Sequence, residues 1–290
     1  MHAHSFAPAD VEAALGQRYV VDSQIAMGGQ GAVFKATRLA CPDGTSVNEL
    51  VALKLNLYQN QDIRVQREIA AMENIGHPNL GRLIEHGHCH VAGTQTRYLT
   101  SEFIDGSTLS QMLKAGRLME CEVLAVGRDV LTAITVIWSR RIVHGDIKPS
   151  NIVMRESGGA VLIDLGAARL LEQDNSPAAR KPFGTSGYLS PEQARGSRNL
   201  TCASDIFSLG VVMLQCLLGR HPTGYDQGAL IEGVRASTFR LPVSSTFLGT
   251  LDKMLSPNPN FRPTPSGLSG CLQRLQQSIE EAYAMGARAS

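Results

Sequence analysis

The chain has 290 residues, 43% apolar and 18% charged, and its 27 basic and 26 acidic side chains leave a net charge of +1. That length and apolar content support a sizeable core in one bilobal domain or two small ones. The charge balance argues against a nucleic-acid arm or a polybasic membrane patch. Cys41, Cys89, Cys121, Cys202, Cys216 and Cys271 form no CxxC pair, so reduced thiols in a cytoplasmic protein are expected rather than zinc or disulfides. The start lacks the layout of a signal peptide, and the longest apolar stretch, residues 209–218, is too short to span a bilayer. His2 and His4 are expected in a mobile terminus.

In chain order, residues 1–18 read as a leader with a short helical pattern at Val11, Ala14 and Leu15. From Tyr19, Y-V-V-D-S-Q-I-A and A-V-F-K-A-T-R-L read as strands around the turn M-G-G-Q-G. Glycines in such a turn expose backbone N–H groups to an approaching phosphate, although a plain hairpin explains them equally well. A third strand, E-L-V-A-L-K-L-N-L, carries Lys54 between Leu53 and Leu55, where an ammonium is costly unless it meets an anion. Residues 62–75 form an amphipathic helix with Ile63, Ile69, Met72 and Ile75 on one side. Glu68 borders that face and is placed to pair with Lys54. Residues 80–84 and 98–104 read as strands, with residues 86–96 as their loop. His86, His88 and His90 share one face at strand spacing, but no carboxylate or further cysteine joins them, which disfavours a metal site. Asp105-Gly106-Ser107 marks a hinge between a β-rich and a helical half.

After the hinge the pattern is helical. Residues 108–115 and 120–139 are helices, the second with Val123, Leu124, Val130, Leu131, Ile134, Ile137 and Trp138 at core spacing. Then comes I-V-H-G-D-I-K-P-S-N-I-V-M, a turn, and V-L-I-D-L-G. Short β-branched runs bounded by Gly and Pro read as strands, so this is a polar loop running into a hairpin. Two carboxylates, an amide and an ammonium gathered there suit a polyphosphate with its divalent metal, because Mg²⁺ takes hard oxygen ligands and shares them with phosphates. Residues 167–189 are irregular. Helices follow over 203–218, with Asp205 buried near its start, then over 228–236, 247–255 and 266–284.

The order of these motifs resembles the protein kinase family, specifically the eukaryotic-like (Hanks-type) Ser/Thr kinases that bacteria also carry. The likeness covers roughly residues 19–275. I-A-M-G-G-Q-G-A-V-F is similar to the glycine-rich loop, with Ala26 at the place of its first glycine. V-A-L-K resembles the strand with the phosphate-binding lysine, R-E-I-A-A-M-E-N-I the C-helix, and S-E-F-I-D-G the hinge, with Ser101 at the gatekeeper place. H-G-D-I-K-P-S-N resembles the catalytic loop, D-L-G the metal-binding DFG, and L-S-P-E-Q the end of the activation segment. D-I-F-S-L-G and N-F-R-P-T are similar to structural marks of the helical lobe.

The resemblance implies an α+β bilobal fold: a β-rich N-lobe of an antiparallel sheet plus one helix at about 19–104, and a larger α-helical C-lobe at about 105–285. It implies ATP and Mg²⁺, with Mn²⁺ as an alternative ion, and protein substrates bearing Ser or Thr. Ala26, Met27, Gly28, Gly29, Gln30, Gly31, Val33, Ala52, Glu102 and Ile104 would surround the nucleotide. Lys54, held by Glu68, would take the α- and β-phosphates. Asn151 and Asp164 would bind the metal. Asp146 would be the base, Lys148 the γ-phosphate contact and Thr185 their partner, while Glu192 and Arg262 would form a buried structural ion pair.

Gly145 stands where many kinases have the arginine that pairs with a phosphorylated activation loop. The expectation is therefore an enzyme active without such phosphorylation at Ser176, Thr185 or Ser186, or one switched by a protein partner. Two other readings remain: an ATP-binding pseudokinase scaffold, and a small-molecule phosphotransferase of the aminoglycoside or choline kinase type. Lys148 and the G-T-S-G-Y-L-S-P-E-Q segment weigh against the latter.

Overall fold

The computed structural model describes residues 6–28, 31–56, 63–73, 75–171 and 184–288. His2 and His4 lie outside them. The chain divides into two compact units, one of residues 1–76 and 81–105, the other of residues 77–80 and 106–290. The break after Asp105 falls in the expected hinge. Residues 77–80, read from sequence with the β-rich half, belong to the helical one. The reason is tertiary: the Leu162 N–H donates to Asn79 O at 2.9 Å, and Asn79 Nδ2 donates to Ala160 O at 2.9 Å.

Among its described residues the first unit is an antiparallel sheet of β1 (Tyr19–Gly28), β2 (Gly31–Ala40), β3 (Ser46–Asn56), β4 (Leu83–Val91) and β5 (Thr94–Glu102), in the order β1-β2-β3-β5-β4. Helix α2 (Ile63–Met72) belongs to it. The expected loop over 86–96 is instead the bulk of a hairpin. Ala92 (φ 48°) and Gly93 (φ 77°) make its two-residue turn, the left-handed pair that matches strand twist. Polar composition concealed the strand because β4 is a sheet edge with His86, His88 and His90 exposed on one face. No group of three His, Cys, Asp or Glu able to hold a metal occurs among the described residues.

Period-two alternation divides β2 and β3 into two faces. Ala32, Phe34, Ala36, Val51, Leu53 and Leu55 are fully buried, whereas Val33, Lys35, Ala52 and Lys54 stay partly open. The buried set forms one core with Phe6 and Val11, the latter on α1 (Pro8–Leu15). Phe6 and Val11 of the leader are thus part of the first unit's core. The leader's short apolar pattern is the only trace of this in the sequence. The junction after α1 is tied down by charge as well: the Arg18 and Arg38 guanidiniums both pair with Glu85, which also accepts from the Tyr98 hydroxyl.

The second unit is built on α4 (Glu120–Ser139), packed against α6 (Cys202–Leu218) and α9 (Pro265–Arg288). The predicted core positions of α4 are buried, with one exception. Trp138 is half-buried at the helix end, with the Arg141 guanidinium 5.1 Å from its ring centre. The short helices are α3 (Leu109–Met112), α5 (Pro191–Ala194), α7 (Gln227–Glu232) and α8 (Ser245–Met254). The expected hairpin is present as β8 (Ile152–Arg155) and β9 (Ala160–Leu162), with β6 (Gly106–Thr108) beside β8. Strand β7 (Ile142–Val143) pairs with β10 (Arg169–Leu170). Among the described residues no helix is long and apolar enough to cross a membrane.

Because Val11 is fully buried, Val11→Ala is expected to cost about 2 kcal/mol, read as a lowered urea midpoint. Removal of residues 1–17 should lower it further, and an unchanged midpoint in both would show the leader to be dispensable.

Candidate active site

In the first unit the site residues cluster on the partly open face of the sheet. Val33 faces Lys54 across β2 and β3, and Ala52 faces Ser101 across β3 and β5. Lys54 Nζ lies 2.7 and 2.9 Å from the two Glu68 carboxylate oxygens. Both side chains are largely withdrawn from solvent, so the pair is a buried one and removal of either partner leaves an uncompensated charge. Ala26 and Met27 are exposed near the end of β1, and Gly28 ends it. Gly29 and Gln30 lie outside the described residues. Gly31 has a structural reason beyond phosphate access, since a methyl group there would lie 1.9 Å from the Leu55 carbonyl oxygen. The Glu102 N–H donates to Arg82 O at 2.9 Å, and Ile104 is buried two residues on.

In the second unit Lys148 Nζ donates to Asp146 Oδ2 and to Thr185 Oγ1, each at 2.7 Å. Asn151 Nδ2 donates to Asp146 O at 2.9 Å and lies 3.3 Å from Asp146 Oδ2. Asp146 is only 6% exposed, yet its other oxygen, Oδ1, has no hydrogen-bond partner among the described residues. A buried carboxylate oxygen without a donor is costly in a resting protein and invites a hydroxyl. Hairpin register brings the remaining carboxylate close: the Ile163 N–H donates to Asn151 O at 2.9 Å, which sets Asp164 one residue beyond. Asp164 holds a left-handed φ of 65°, and the Gly166 N–H reaches its Oδ1 at 3.2 Å. Leu165 next to it is buried.

What holds this loop came only partly from sequence. Asp205, in the first turn of α6, accepts from the His144 N–H through Oδ2 and from the Gly145 N–H through Oδ1, both at 2.9 Å. Gln193, which sequence reasoning missed, donates from Nε2 to Gly145 O at 2.9 Å. Gly145 itself has φ 76°, and a methyl there would meet Ala167 O at 3.0 Å. The signal available for Asp205 was a lone carboxylate opening an otherwise apolar helix. For Gln193 there was none.

Arg262 and Glu192 pair through two parallel bonds, Nη1 to Oε1 at 2.6 Å and Nη2 to Oε2 at 2.9 Å. The Arg262 side chain is fully buried. Burial alone would raise the Glu192 carboxyl, but the Arg262 hydrogen bonds and charge, with the Ser204 hydroxyl, hold it below the ordinary carboxylate range.

Residues 19–277 match the family described as protein kinase domain. Among curated proteins the chain is 33% identical over 220 residues to the "Probable serine/threonine-protein kinase PknB" of Lactococcus lactis, covering 74% of this chain and 34% of that one. It is 30% identical over 265 residues to the serine/threonine-protein kinase PknA of Nostoc sp., covering 88% of this chain and 46% of that one. It is also 30% identical over 272 residues to the serine/threonine-protein kinase pkn3 of Myxococcus xanthus, covering 86% and 48% respectively. The chain thus spans between a third and a half of the length of these relatives.

The lowered Glu192 pKa has a definite sign. Its contribution to stability is complete above the unfolded value of 4.5 and is lost as pH falls through the folded value. Glu192→Gln is therefore expected to flatten the loss of stability below about pH 4.5. At neutral pH it should cost about 3–5 kcal/mol, because Arg262 is left buried and unpaired. Denaturant titrations at several pH values check both.

Proposed function

The chain belongs to the protein kinase domain family, and from that premise we propose that it is an ATP-dependent Ser/Thr protein kinase. It transfers the γ-phosphoryl group of ATP to serine and threonine hydroxyls of protein substrates. The observation that carries this reading is the Asp146–Lys148–Thr185 cluster, with Asp146 Oδ1 buried and without a hydrogen-bond partner among the described residues. A substrate hydroxyl donating to that oxygen is oriented for attack, and Asp146 accepts its proton as the phosphoryl group transfers. Lys148, already bonded to Asp146, supplies positive charge for the γ-phosphate. Lys54, held by Glu68, holds the α- and β-phosphates, as the lysine of the kinase template does.

The donor set fits a hard divalent cation. Asn151 turns its amide nitrogen toward Asp146, and its carbonyl oxygen and the Asp164 carboxylate are oxygen ligands of the kind Mg²⁺ prefers. Asn151 and Asp164 would hold Mg²⁺, which when bound would supply positive charge beside the transferring group.

Gly145 supports activity without activation-loop phosphorylation. Its N–H and carbonyl are held by Asp205 and Gln193, and it carries no guanidinium to receive a phosphate. Ser176 lies outside the described residues, and Thr185 is engaged with Lys148.

With Mg-ATP and casein, Asp146→Asn is expected to lower kcat by about 10²–10⁴-fold. Equal rates for wild type and variant would refute the enzyme, and transfer only to small alcohols would reassign it to small-molecule phosphotransfer. Phosphatase-treated wild type should keep most of its activity; near-complete loss would overturn the phosphorylation-independent reading.

A further inference from the structure

The segment H-P-T-G-Y-D-Q after α6 is absorbed by nothing above, yet it grips the chain that leads away from Thr185. The His221 Nε2–H donates to Gly187 O at 2.8 Å. The Gly187 N–H donates to Gln227 Oε1 at 2.9 Å, and Gln227 Nε2 donates to Leu189 O at 2.8 Å. Ser208 takes the Tyr188 carbonyl at 2.7 Å, and the Tyr188 hydroxyl donates to Gln215. These backbone groups of residues 187–189 are thereby occupied, and Tyr188 and Leu189 are buried. Substrate recognition along this stretch falls to side chains that the grip presents outward.

Tyr225 is that side chain. It is 54% exposed and holds a left-handed φ of 70°, a strained conformation for a large aromatic residue. The strain is compensated by two contacts with buried His221. The Tyr225 N–H donates to Nδ1 at 2.8 Å, and the two rings stack with centroids 4.2 Å apart and planes 20° apart. Because the Gly187 carbonyl only accepts and the Tyr225 N–H only donates, His221 is the neutral Nε2–H tautomer. Tyr225 also lies against the chain at Gly187, since a methyl group there would stand 3.1 Å from its Cδ1. Gly187 is two residues from Thr185, which shares Lys148 with Asp146.

We propose that Tyr225 is a specificity-determining residue, whose open ring packs against an aliphatic or proline side chain flanking the phosphorylated residue of the substrate. The inference rests on the Ser/Thr kinase reading. Exposed Asp226, whose Oδ1 is engaged by the Gly228 and Ala229 N–H groups, and exposed Arg220 carry opposite charges that offset one another, so the apolar face of the ring sets the flank. A half-open aromatic surface discriminates by shape and apolar area, by about tenfold between a branched side chain and none.

The test is a set of serine peptides varied at each flanking position, phosphorylated by wild type, Tyr225→Gly and Tyr225→Phe. Glycine accepts the left-handed backbone, so the first variant removes the ring without adding strain, and matching thermal midpoints verify its fold. Wild type is expected to prefer an aliphatic or proline flank by about tenfold in kcat/KM. Tyr225→Gly should abolish the preference by raising the peptide KM with the ATP KM unaltered, and Tyr225→Phe should retain it. An active wild type with no flank preference, a preference for basic flanks, or one that survives in Tyr225→Gly overturns this inference alone. A wild type that phosphorylates no peptide overturns the kinase reading, and this inference with it.

Discussion

The buried carboxylate of Asp205 is the constraint on which the second unit's chemistry depends. It is 1% exposed inside a helix whose residues from Ser204 to Leu217 are almost wholly buried. Burial pushes its pKa up, against the pull of His144 and of the two N–H groups it accepts. A polar group so placed is tolerated only when its hydrogen bonds are made, and these two are spent on consecutive backbone positions, His144 and Gly145. The loop cannot shift without leaving that carboxylate unsatisfied. His144 Nδ1 in turn accepts the Asp146 N–H at 3.2 Å, so the orientation of the proposed base is inherited from α6.

The same helix anchors the other side of the site. Ser204 donates to Glu192 and Ser208 to Tyr188 O, both at 2.7 Å, and Gln215 receives the Tyr188 hydroxyl. A helix that reads as apolar apart from Asp205 thus bears a narrow polar stripe, and each member of it holds a segment near Asp146 or leading from Thr185. Glu192 extends this to Arg262 in the loop before α9. Precision at Asp146 and Lys148 therefore comes from a rigid helical scaffold supporting irregular chain, the arrangement by which loops carry function.

In the first unit alternation does the equivalent work. One face of β2 and β3 closes onto α1 and Phe6, and the other stays open and carries Val33, Ala52 and Lys54. Register assigns each residue to its face, and a one-residue slip would bury Lys54 and expose Leu53 and Leu55.

Much of this was legible before any coordinates. Composition and periodicity carry the sheet followed by helices, the hinge at Asp105, and the hairpin before Asp164, because alternation and helical spacing are local properties of the chain. The resemblance to the kinase family singled out Thr185, whereas Lys54 with Glu68, and Asp146, Lys148, Asn151 and Asp164, stood out also by residue type, as groups that suit an anion or a phosphate with its metal. Tertiary structure alone decided what lies far apart in sequence. It folded the leader into the first core, moved residues 77–80 to the helical unit through bonds to β9, and joined Gln193 to Gly145. It also stacked Tyr225 on His221. Such pairings depend on which distant surfaces meet, and a glutamine or a tyrosine in a polar loop carries no local sign of its partner.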